Sequence, residues 1–566
     1  MIVPTQPDRL YFVADFTIEP LARQLSSTAL PGIETAIAPP GPVVPALAAG
    51  PPAPEWSAVV WTRPEAVSEA FARACAFEAP DHERALDEVR TFAAALARFA
   101  ARARSVFVPT WLQPPFERGW GMLDYRPGTG VAHLLARMNV ALADALRDAP
   151  RVFVLDAGRW LASAGARGWS QKLWYAAKCP FAPTLIELAA ADIAAALDGL
   201  AGRARRVLIL DLDDVLWGGI VGEVGWSGLA LGGHDHAGEA FADFQRALAA
   251  LTRRGVQLAI VSRNDEATAL EAIDRHPEMV LRRGDFAAWR INWDDKAQNV
   301  DAVLGDLNLG ADSAVFIDDS AIERARVRAA VPGILVPDWP PDPARFRETL
   351  GSLRCFDAPF RTGEDRARTA MAAQERSRRS ALAEADSLDD WLQSLDIAVA
   401  VEPLAPANLE RAAQLFNKTN QMNLSTRRLS AGELAAWAAA PGHVLLTFRV
   451  RDRFGEYGLA GIVGLDVAGA RARLADFLLS CRVMGRRIEE TMLHVVVAHA
   501  QARRASTLAA ELLPTARNTP CRDFFARSGM RAASDRLFEW DLSKPFPCPS
   551  GVSVGDHAGV VNTIDP

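Results

Sequence analysis

The chain alternates short apolar runs with segments of helical period, and this alternation constrains its fold more than any other feature. One series fills about the first 200 residues, and a second begins after Gly202 with the run Val207 to Leu210. Because parallel strands need a crossover connection, usually a helix, each series predicts a parallel sheet covered by helices. Ligands of such α/β folds bind at the carboxyl ends of the strands.

A single hydrophobic core is too small for 566 residues, because cores stop growing at roughly 250–300 residues. We expect an α/β fold class with this division: an α/β domain over 1–202, a second over 203–345, a connector over 346–394, an α+β domain over 395–545 and a tail over 546–566. The charged stretch Arg361 to Asp390 is interpreted as a helical connector, and the tail as loosely ordered. The proline-rich stretch Pro39 to Pro54 is interpreted as a surface loop or insertion.

Composition restricts the possible partners. The formal net charge is −7, with acidic and basic residues interspersed, so the chain offers neither a basic nucleic-acid surface nor a polybasic membrane anchor. No apolar run approaches the roughly 18–20 residues that cross a bilayer, and the amino terminus lacks the regions of a signal peptide. Six cysteines without CxxC pairs favour free thiols. We expect a cytoplasmic protein with no nucleic-acid and no membrane partner.

Two carboxylates follow the apolar run VLIL, at Asp211 and Asp213. Carboxylates two positions apart at a strand end can divide the work of phosphoryl transfer. Asp211 would attack phosphorus and form an aspartyl phosphate, while Asp213 would protonate the leaving group and later activate water. The alternative interpretation is a solvated acidic loop.

Three further segments favour the catalytic interpretation. Ser262 follows the run VQLAIV and can hydrogen-bond a phosphoryl oxygen, and Lys296 can neutralise the same group. Asp318 and Asp319 follow the run AVFI and supply the hard oxygen ligands that Mg²⁺ prefers. Taken singly, these residues also fit a capping serine, a surface lysine and a turn, but their common position at strand ends and helix starts makes coincidence a poor explanation.

This order resembles the four motifs of the haloacid dehalogenase (HAD) superfamily. The resemblance implies, in order, a nucleophile, a general acid/base, a motif-two hydroxyl and a motif-three lysine at Asp211, Asp213, Ser262 and Lys296. It also implies an Mg²⁺ ion between Asp211, the backbone carbonyl of Asp213 and one or both of the motif-four acids, Asp318 and Asp319.

The residues that flank these four motifs resemble one particular family of the superfamily. They are Leu216 to Gly219, Ser262-Arg263-Asn264, Asp294 to Asn299, and Phe316 to Asp319. These segments resemble the FkbH-like glyceryl-transferase/phosphatase family, a HAD subfamily IIIC domain joined to a GNAT-like domain. The family moves a glyceryl group from 1,3-bisphosphoglycerate to the phosphopantetheine thiol of an acyl carrier protein, with loss of phosphate, for polyketide-type pathways. The resemblance implies that phosphate or substrate contacts Ser262, Arg263, Asn264 and Lys296.

Two departures from the family pattern lie next to these motifs. The family usually has Asp-Asn-Thr where this chain has Asp213-Asp214-Val215, and commonly lysine in place of Arg263. Both catalytic carboxylates remain. Asp214 adds negative charge near the phosphate, so we expect it to alter metal affinity or substrate choice.

The carboxyl-terminal segments Phe416 to Asn423, Asp452 to Gly455 and Leu479 to Arg486 resemble the GNAT-like acyltransferase region of the family. The segment Arg482 to Arg487 matches the acyl-CoA pyrophosphate loop at Gly485 but has Arg487 where a small residue is usual. This departure argues against bound acetyl-CoA.

Cys481 is the candidate thiol of this region. It follows a predicted strand, Ala475 to Leu479, precedes a possible helix start, and has Arg482, Arg486 and Arg487 nearby in sequence. Helix amides and cations favour the thiolate, so we expect Cys481 to accept the glyceryl group and pass it to the carrier protein. The alternative is an inert cysteine beside an apolar strand.

The remaining assignments stay open. His443 and His494 are candidate bases for the thiol, and Asn518 is interpreted either as a substrate contact or, preferably, as a loop closure. The amino-terminal domain is similar to the flavodoxin-like or SGNH-hydrolase-like region of long family members. Its first strand leads into Ala14-Asp15-Phe16-Thr17 rather than a Gly-Asp-Ser nucleophile, which favours docking or scaffolding over esterase activity.

The sequence therefore predicts an Mg²⁺-dependent enzyme that loads a glyceryl unit from 1,3-bisphosphoglycerate onto an acyl carrier protein. One alternative is a HAD phosphatase of a small phosphorylated metabolite, with regulatory flanking domains. Another is a non-catalytic scaffold that gathers a carrier protein and its enzymes.

Overall fold

The computed structural model describes residues 8–78, 81–233, 235–359, 374, 378, 381, 387–515 and 517–555. The chain divides into two compact units, residues 1–198 and residues 199–566. No helix among the described residues is long and apolar enough to span a bilayer.

The first unit is built on a parallel sheet with strand order β2-β1-β3-β4-β5. Its strands are β1 Arg9–Ala14, β2 Glu34–Ile37, β3 Ser57–Trp61, β4 Val106–Pro109 and β5 Val152–Leu155. This is the flavodoxin-like order. Every residue of the central strand β3 is buried, as expected where helices cover both faces of a parallel sheet.

The helices of the first unit are α1 Glu19–Gln24, α2 Val43–Ala49, α3 Pro64–Val67, α4 Glu69–Cys75, α5 His82–Ala100, α6 Val131–Ala145, α7 Ala157–Ala164, α8 Gln171–Ala177 and α9 Pro183–Leu200. Helix α5 begins where the Asp81 carboxylate accepts the Arg84 N–H at 3.0 Å, a standard N-cap. Helix α2 lies within Pro39–Pro54, so this stretch is not a surface loop throughout, and the alternative of an insertion stays a prediction.

The second unit opens with a four-stranded parallel sheet of order β8-β7-β6-β9. Its strands are β6 Val207–Leu210, β7 Gln257–Ser262, β8 Phe286–Ile291 and β9 Ala314–Ile317. Helices α10 Val221–Val224, α11 His236–Arg253, α12 Glu266–Arg275, α13 Lys296–Leu307, α14 Ala321–Ala330 and α15 Phe346–Ser352 connect and follow them. All of β6 is fully buried, because apolar side chains cover both of its faces.

A larger mixed sheet follows, with strand order β16-β17-β15-β14-β13-β12-β10-β18. Its strands are β10 Ile397–Pro403, β11 Met422–Asn423, β12 His443–Asp452, β13 Gly455–Ala468, β14 Arg471–Leu479, β15 Thr507–Glu511, β16 Arg531–Ala532, β17 Leu537–Asp541 and β18 Val552–Val554. Helices α16 Leu388–Ser394, α17 Pro406–Lys418, α18 Ala431–Ala438, α19 Ile488–Ala502 and α20 Thr519–Arg527 accompany it.

The central strands β14 and β15 of this sheet are parallel and part after the pair Leu474 and Ala510. The segment around Leu424 lies between them where they part. The Leu424 N–H donates to the Phe477 carbonyl at 3.1 Å, and the Leu513 N–H donates to the Leu424 carbonyl at 3.0 Å. The chain thereby fills the gap between these strands with its own backbone.

The predicted α/β fold class is confirmed, with two parallel sheets and one mixed sheet in the described residues. The domain boundaries stay predictions. In the expected connector, residues 360–386 lie outside the described residues except for 374, 378 and 381. The tail from 556 lies outside them as well. The expectation of a loosely ordered tail was wrong for Val552–Val554, because this segment pairs with β10.

Candidate active site

The sequence-predicted phosphoryl-transfer residues meet at one edge of the four-stranded sheet. Asp211 directly follows β6, Ser262 ends β7, and Asp318 directly follows β9. Because β6 lies between β7 and β9 and all three strands are parallel, their carboxyl ends share an edge with Asp211 in the centre. Lys296 begins α13, just after β8, and completes the group.

Lys296 binds two of the carboxylates directly. Its Nζ lies 2.5 Å from Oδ2 of Asp211 and 2.6 Å from Oδ2 of Asp318. All three side chains are buried. Burial alone lowers the pKa of Lys296, but the charges of the two aspartates outweigh it, so its pKa lies above the ordinary value. Lys296 is therefore held as the ammonium ion.

The site carries more negative charge than Lys296 neutralises. Carboxylate oxygens of Asp211, Asp318 and Asp319 all lie within 4.8 Å of one another. Burial, followed by the charge of Asp211, raises the pKa of Asp318 to about 7 and also raises the pKa of Asp319. Three crowded carboxylates with hard oxygen donors fit a divalent cation such as Mg²⁺.

The Asp213 carboxylate does not belong to this group of three. Its Oδ1 accepts the Trp217 Nε1–H at 2.8 Å and the Val221 N–H at 3.1 Å. Its Oδ2 accepts the Asn264 Nδ2–H at 2.8 Å. The predicted contact of a metal with the backbone carbonyl of Asp213 stays a prediction.

The motif-two residues have different surroundings. Ser262 is buried, and its Oγ lies 3.5 Å from the Nδ2 of Asn264. Arg263 is 43% exposed, and its Nη1 lies 2.7 Å from a carboxylate oxygen of Glu323 on α14. The structure thus places Ser262 and Asn264 at the site and ties Arg263 to a neighbouring helix. Their contacts with phosphate stay predictions.

Asn264 lies just before helix α12 but does not cap it. Helix α12 is capped by Asp265, whose carboxylate accepts the Thr268 N–H at 2.9 Å. The Asn264 amide is bound to Asp213 instead, so the neighbouring residue caps the helix.

Asp214 has a local structural role. Its φ of 54° is left-handed, a region that asparagine and aspartate tolerate better than most residues. Its carboxylate accepts the Gly219 N–H at 2.8 Å. The charge of Asp214 nevertheless contributes to the raised pKa of Asp319. Asp214 thus acts through space on the group formed by Asp211, Asp318 and Asp319.

Trp217 is the site residue that sequence reasoning missed. It is fully buried, yet its indole N–H reaches Asp213 four positions earlier. The segment Leu216 to Gly219 was noticed only as part of a resemblance. Its signal was a tryptophan in a loop, where a buried indole N–H needs a nearby acceptor.

Cys481 is exposed and lies in a short 3₁₀ turn, Cys481–Val483. The expectation of a helix start just after it was wrong, because α19 begins at Ile488. The nearby cations also bind elsewhere. Arg486 is buried against the hydroxyl of Tyr457 and the carbonyl of Arg482, while Arg487 binds Asp389 and Ser550.

Cys481 lies close enough to Arg206 for a thiolate there to act on the guanidinium, and Arg206 donates to Ser313 Oγ at 2.7 Å. Arg206 directly precedes β6, whereas Asp211 directly follows it. Five strand residues at about 3.3 Å each separate the Arg206 and Asp211 backbones by roughly 16 Å. The thiol and the phosphoryl-transfer group are thus two separate places in this unit.

His443 is not placed as a base for Cys481. His443 lies opposite Asp466 on β13, whereas Ser480, the neighbour of Cys481, donates its N–H to Ala460 on the same strand. Asp466 and Ala460 are six strand residues apart, which at about 3.4 Å each is roughly 20 Å. His494 Nδ1 lies 2.7 Å from the Phe546 carbonyl oxygen.

Asn518 closes a loop, as preferred from the sequence. Its Nδ2 donates to the carbonyls of Leu513 and Asn423 at 2.8 and 3.0 Å.

No protein-family model matches the chain, and neither does any curated protein. Among solved structures, it is similar to the amino-terminal part of a Bacteroides fragilis protein that contains a phosphatase domain complexed with Mg. The two share 24% identity at a TM-score of 0.57, over 63% of this chain and 96% of that chain. This likeness shows that the two chains share a fold over the matched residues.

Acetyltransferases match a smaller part of the chain. The ribosomal-protein alanine N-acetyltransferase of Escherichia coli is 13% identical, and a spermidine N-acetyltransferase of Vibrio cholerae is 14% identical. Each match covers 26% of this chain and 95% of that chain, at a TM-score of 0.21. Scores this low carry no argument about activity.

Proposed function

We propose that the edge of the sheet around Asp211 is an Mg²⁺-dependent phosphatase site that works through an aspartyl phosphate. The observation that carries the proposal is the bridge from Lys296 to Asp211 and Asp318, beside the exposed carboxylate of Asp319. The complex of the Bacteroides fragilis structure with Mg supports the choice of ion.

Each residue then has a defined task. Asp211 attacks phosphorus, the bond from phosphorus to the leaving oxygen breaks, and Asp213 gives that oxygen a proton. Asp213 then takes a proton from a water molecule. The resulting hydroxide attacks the aspartyl phosphate, releases inorganic phosphate and restores Asp211. Lys296 keeps its positive charge beside the phosphoryl group. Asp211, Asp318 and Asp319 would hold Mg²⁺, which neutralises charge on the transferred group.

The fuller proposal is glyceryl transfer from 1,3-bisphosphoglycerate to the phosphopantetheine thiol of an acyl carrier protein. The Cys481 thiolate attacks the C1 carbonyl, and inorganic phosphate leaves as the carbon–oxygen bond breaks. The carrier thiol then attacks the cysteine thioester and releases Cys481. The phosphate ester on C3 is removed at Asp211. The motif resemblance and the exposure of Cys481 support this proposal.

The separation of Cys481 from Asp211 sets a condition on this reaction. Cys481 lies toward Arg206 at the amino end of β6, and the strand places that end roughly 16 Å from Asp211, so we propose that no bound intermediate passes directly between the two sites. The three-carbon unit must therefore travel on the carrier protein arm, or leave one site before it enters the other. The first unit, residues 1–198, is proposed to dock the carrier protein. Its deletion should lower carrier loading more than phosphatase activity.

Intact-protein mass spectrometry tests the proposal. Holo carrier protein is incubated with the full chain, Mg²⁺ and enzymatically generated 1,3-bisphosphoglycerate. A glyceryl adduct supports the complete proposal, and a phosphoglyceryl adduct supports transfer without removal of the C3 phosphate. No adduct, with phosphate still released from small phosphate esters, refutes the transfer half alone.

A plain HAD phosphatase of a small metabolite is the second candidate. It is favoured by the contacts of the groups predicted to activate Cys481. His443 binds the carbonyl of Trp437, Arg486 binds the hydroxyl of Tyr457, and Arg487 binds Asp389. Phosphate release unchanged by addition of carrier protein, with no adduct, would identify this function.

A further inference from the structure

Asp213 is held by donors from two separate segments of the chain. Two N–H groups, from Trp217 and Val221, point at Oδ1, and the amide of Asn264 points at Oδ2. A carboxylate oxygen accepts about two hydrogen bonds. Oδ1 is therefore saturated, while Oδ2 keeps one lone pair for a proton.

The donors are fixed more firmly than surface side chains. Trp217 is fully buried in the core of the four-stranded sheet, so packing fixes the direction of its N–H. Asn264 is 4% exposed and lies between Ser262, at the end of β7, and Asp265, the cap of α12. Both ends of the segment that carries Asn264 are thereby anchored.

We propose that Trp217 and Asn264 are positioning residues: Trp217 holds Oδ1 of Asp213 as a permanent acceptor, and Asn264 binds one lone pair of Oδ2 and so aims the other at the leaving oxygen. The inference rests on the proposed phosphatase function and names its substrate class. A positioned acid matters when the leaving group is an alkoxide, which needs a proton. It matters little for nitrophenolate or carboxylate, which leave as anions. The site is therefore built for phosphate esters of aliphatic alcohols rather than for acyl phosphates.

The dependence of rate on the leaving group tests this inference. The value of kcat/KM is measured for glycerol 3-phosphate, phenyl phosphate and 4-nitrophenyl phosphate with the full chain and Mg²⁺. This parameter covers phosphorylation of Asp211 and excludes the later hydrolysis step, which all three substrates share. Because a misplaced acid costs about 10²-fold, Trp217→Phe and Asn264→Ala should each lose about 30-fold or more on glycerol 3-phosphate. The loss on 4-nitrophenyl phosphate should stay below about 3-fold, because that leaving group needs little acid catalysis.

The control variant is Trp226→Phe, a tryptophan in the same loop region whose ring contacts His276. It should follow the wild-type rates on all three substrates. Thermal unfolding of each variant checks that the fold is kept. If burial prevents Trp217→Phe from folding, Asn264→Ala tests the same carboxylate from the other side.

Each outcome has one meaning. A loss that grows as the leaving group becomes more basic supports positioning. Equal losses on all three substrates indicate a merely structural role and overturn the inference, as do unchanged rates. A wild-type chain that hydrolyses none of the three esters refutes the proposed phosphatase function, and the inference with it.

Discussion

Around Asp211, buried groups of opposite charge bind one another directly, whereas around Cys481 the neighbouring cations bind other partners. The first group follows three strands, β6, β8 and β9, that are far apart in sequence and that the parallel sheet brings together. The second was predicted from residues adjacent in sequence, and the chain turns those side chains apart. In this chain the order of the parallel strands brings charged side chains together at Asp211, whereas adjacency in sequence does not do so at Cys481.

Asp211→Asn gives the largest expected change. The amide is a poor nucleophile, so release of phosphate should fall by at least about 10³-fold. If the two sites work independently, phosphoglyceryl carrier protein should still form. Colorimetric phosphate release and mass spectrometry of the carrier protein measure the two activities. Loss of both together would contradict the separation of the sites.

Cys481→Ala should have the reverse effect. Carrier loading should fall by about 10²-fold or more because the covalent step is lost, while phosphate release from small esters should stay within about 2-fold because Cys481 is distant from that site. Cys548→Ala, which removes another exposed cysteine, is the matched control. A Cys481→Ala chain that loads the carrier at the wild-type rate would refute a role for this thiol.

Lys296→Met should lower phosphatase activity by about 10²-fold, because it removes the buried cation that faces the phosphoryl group. It also leaves paired aspartates without their ammonium, which costs about 3 kcal/mol of unfolding free energy. Mg²⁺ should raise the Tm of the variant more than that of wild type in calorimetry. The exposed Lys544→Met variant is the control. Equal Mg²⁺ effects would argue against a shared position for ion and ammonium.

Helix α19 carries two buried groups with opposite pH dependence. Burial raises the pKa of Glu489 to about 7, so the folded state binds its proton more tightly and gains stability as the pH falls from 7 to 4.5. Burial lowers the pKa of His499 to about 4, so stability is lost as the pH falls from 6.5 to 4. The two effects oppose each other across most of this window.

Single variants should separate these two effects. From pH 7 to pH 5, His499→Phe should gain stability on acidification and Glu489→Gln should lose it, each by about 2 kcal/mol relative to wild type. Urea unfolding at several pH values measures both. Parallel pH profiles for the two variants would refute the opposed assignment. Phosphatase activity should not change with either substitution, because α19 packs against the mixed sheet, whereas the four-stranded sheet carries Asp211.

Asp214→Asn should give the smallest effect. Asparagine tolerates the left-handed conformation and can still accept the Gly219 N–H, so stability should change by less than about 0.5 kcal/mol. Removal of one charge near Asp319 should raise the Mg²⁺ concentration needed for half-maximal activity by about 2–5-fold. Asp312→Asn, at the amino end of β9, is the control. Equal shifts in both variants would indicate a general charge effect.

The sequence predicted two strands of the four-stranded sheet at their observed bounds, Val207–Leu210 and Ala314–Ile317. Each is a continuous apolar run, which is typical of a strand buried on both faces. From these strands alone, the parallel sheet and the shared edge at Asp211 followed. This part of the site was predictable because strand ends carry its residues.

The features that sequence reasoning missed depend on distant contacts. The Asn264 amide donates to Asp213, which lies 51 positions earlier in the chain, and no local sequence pattern predicts this bond. The strand Val552–Val554 exists only because β10 offers it an edge. Helix α2 was hidden by its prolines, although proline is tolerated in a first helical turn, where Pro45 lies. The position of Cys481 near Arg206 likewise depends on packing.

The distance between Cys481 and Asp211 has a chemical consequence for the proposed reaction. A phosphatase of this kind must activate water at Asp213, and activated water also destroys thioesters. With Cys481 toward the amino end of β6 and Asp211 just past its carboxyl end, a glyceryl group on Cys481 lies away from that hydroxide. The separation then protects the thioester from hydrolysis, so one chain can use water in one reaction and exclude it from the other.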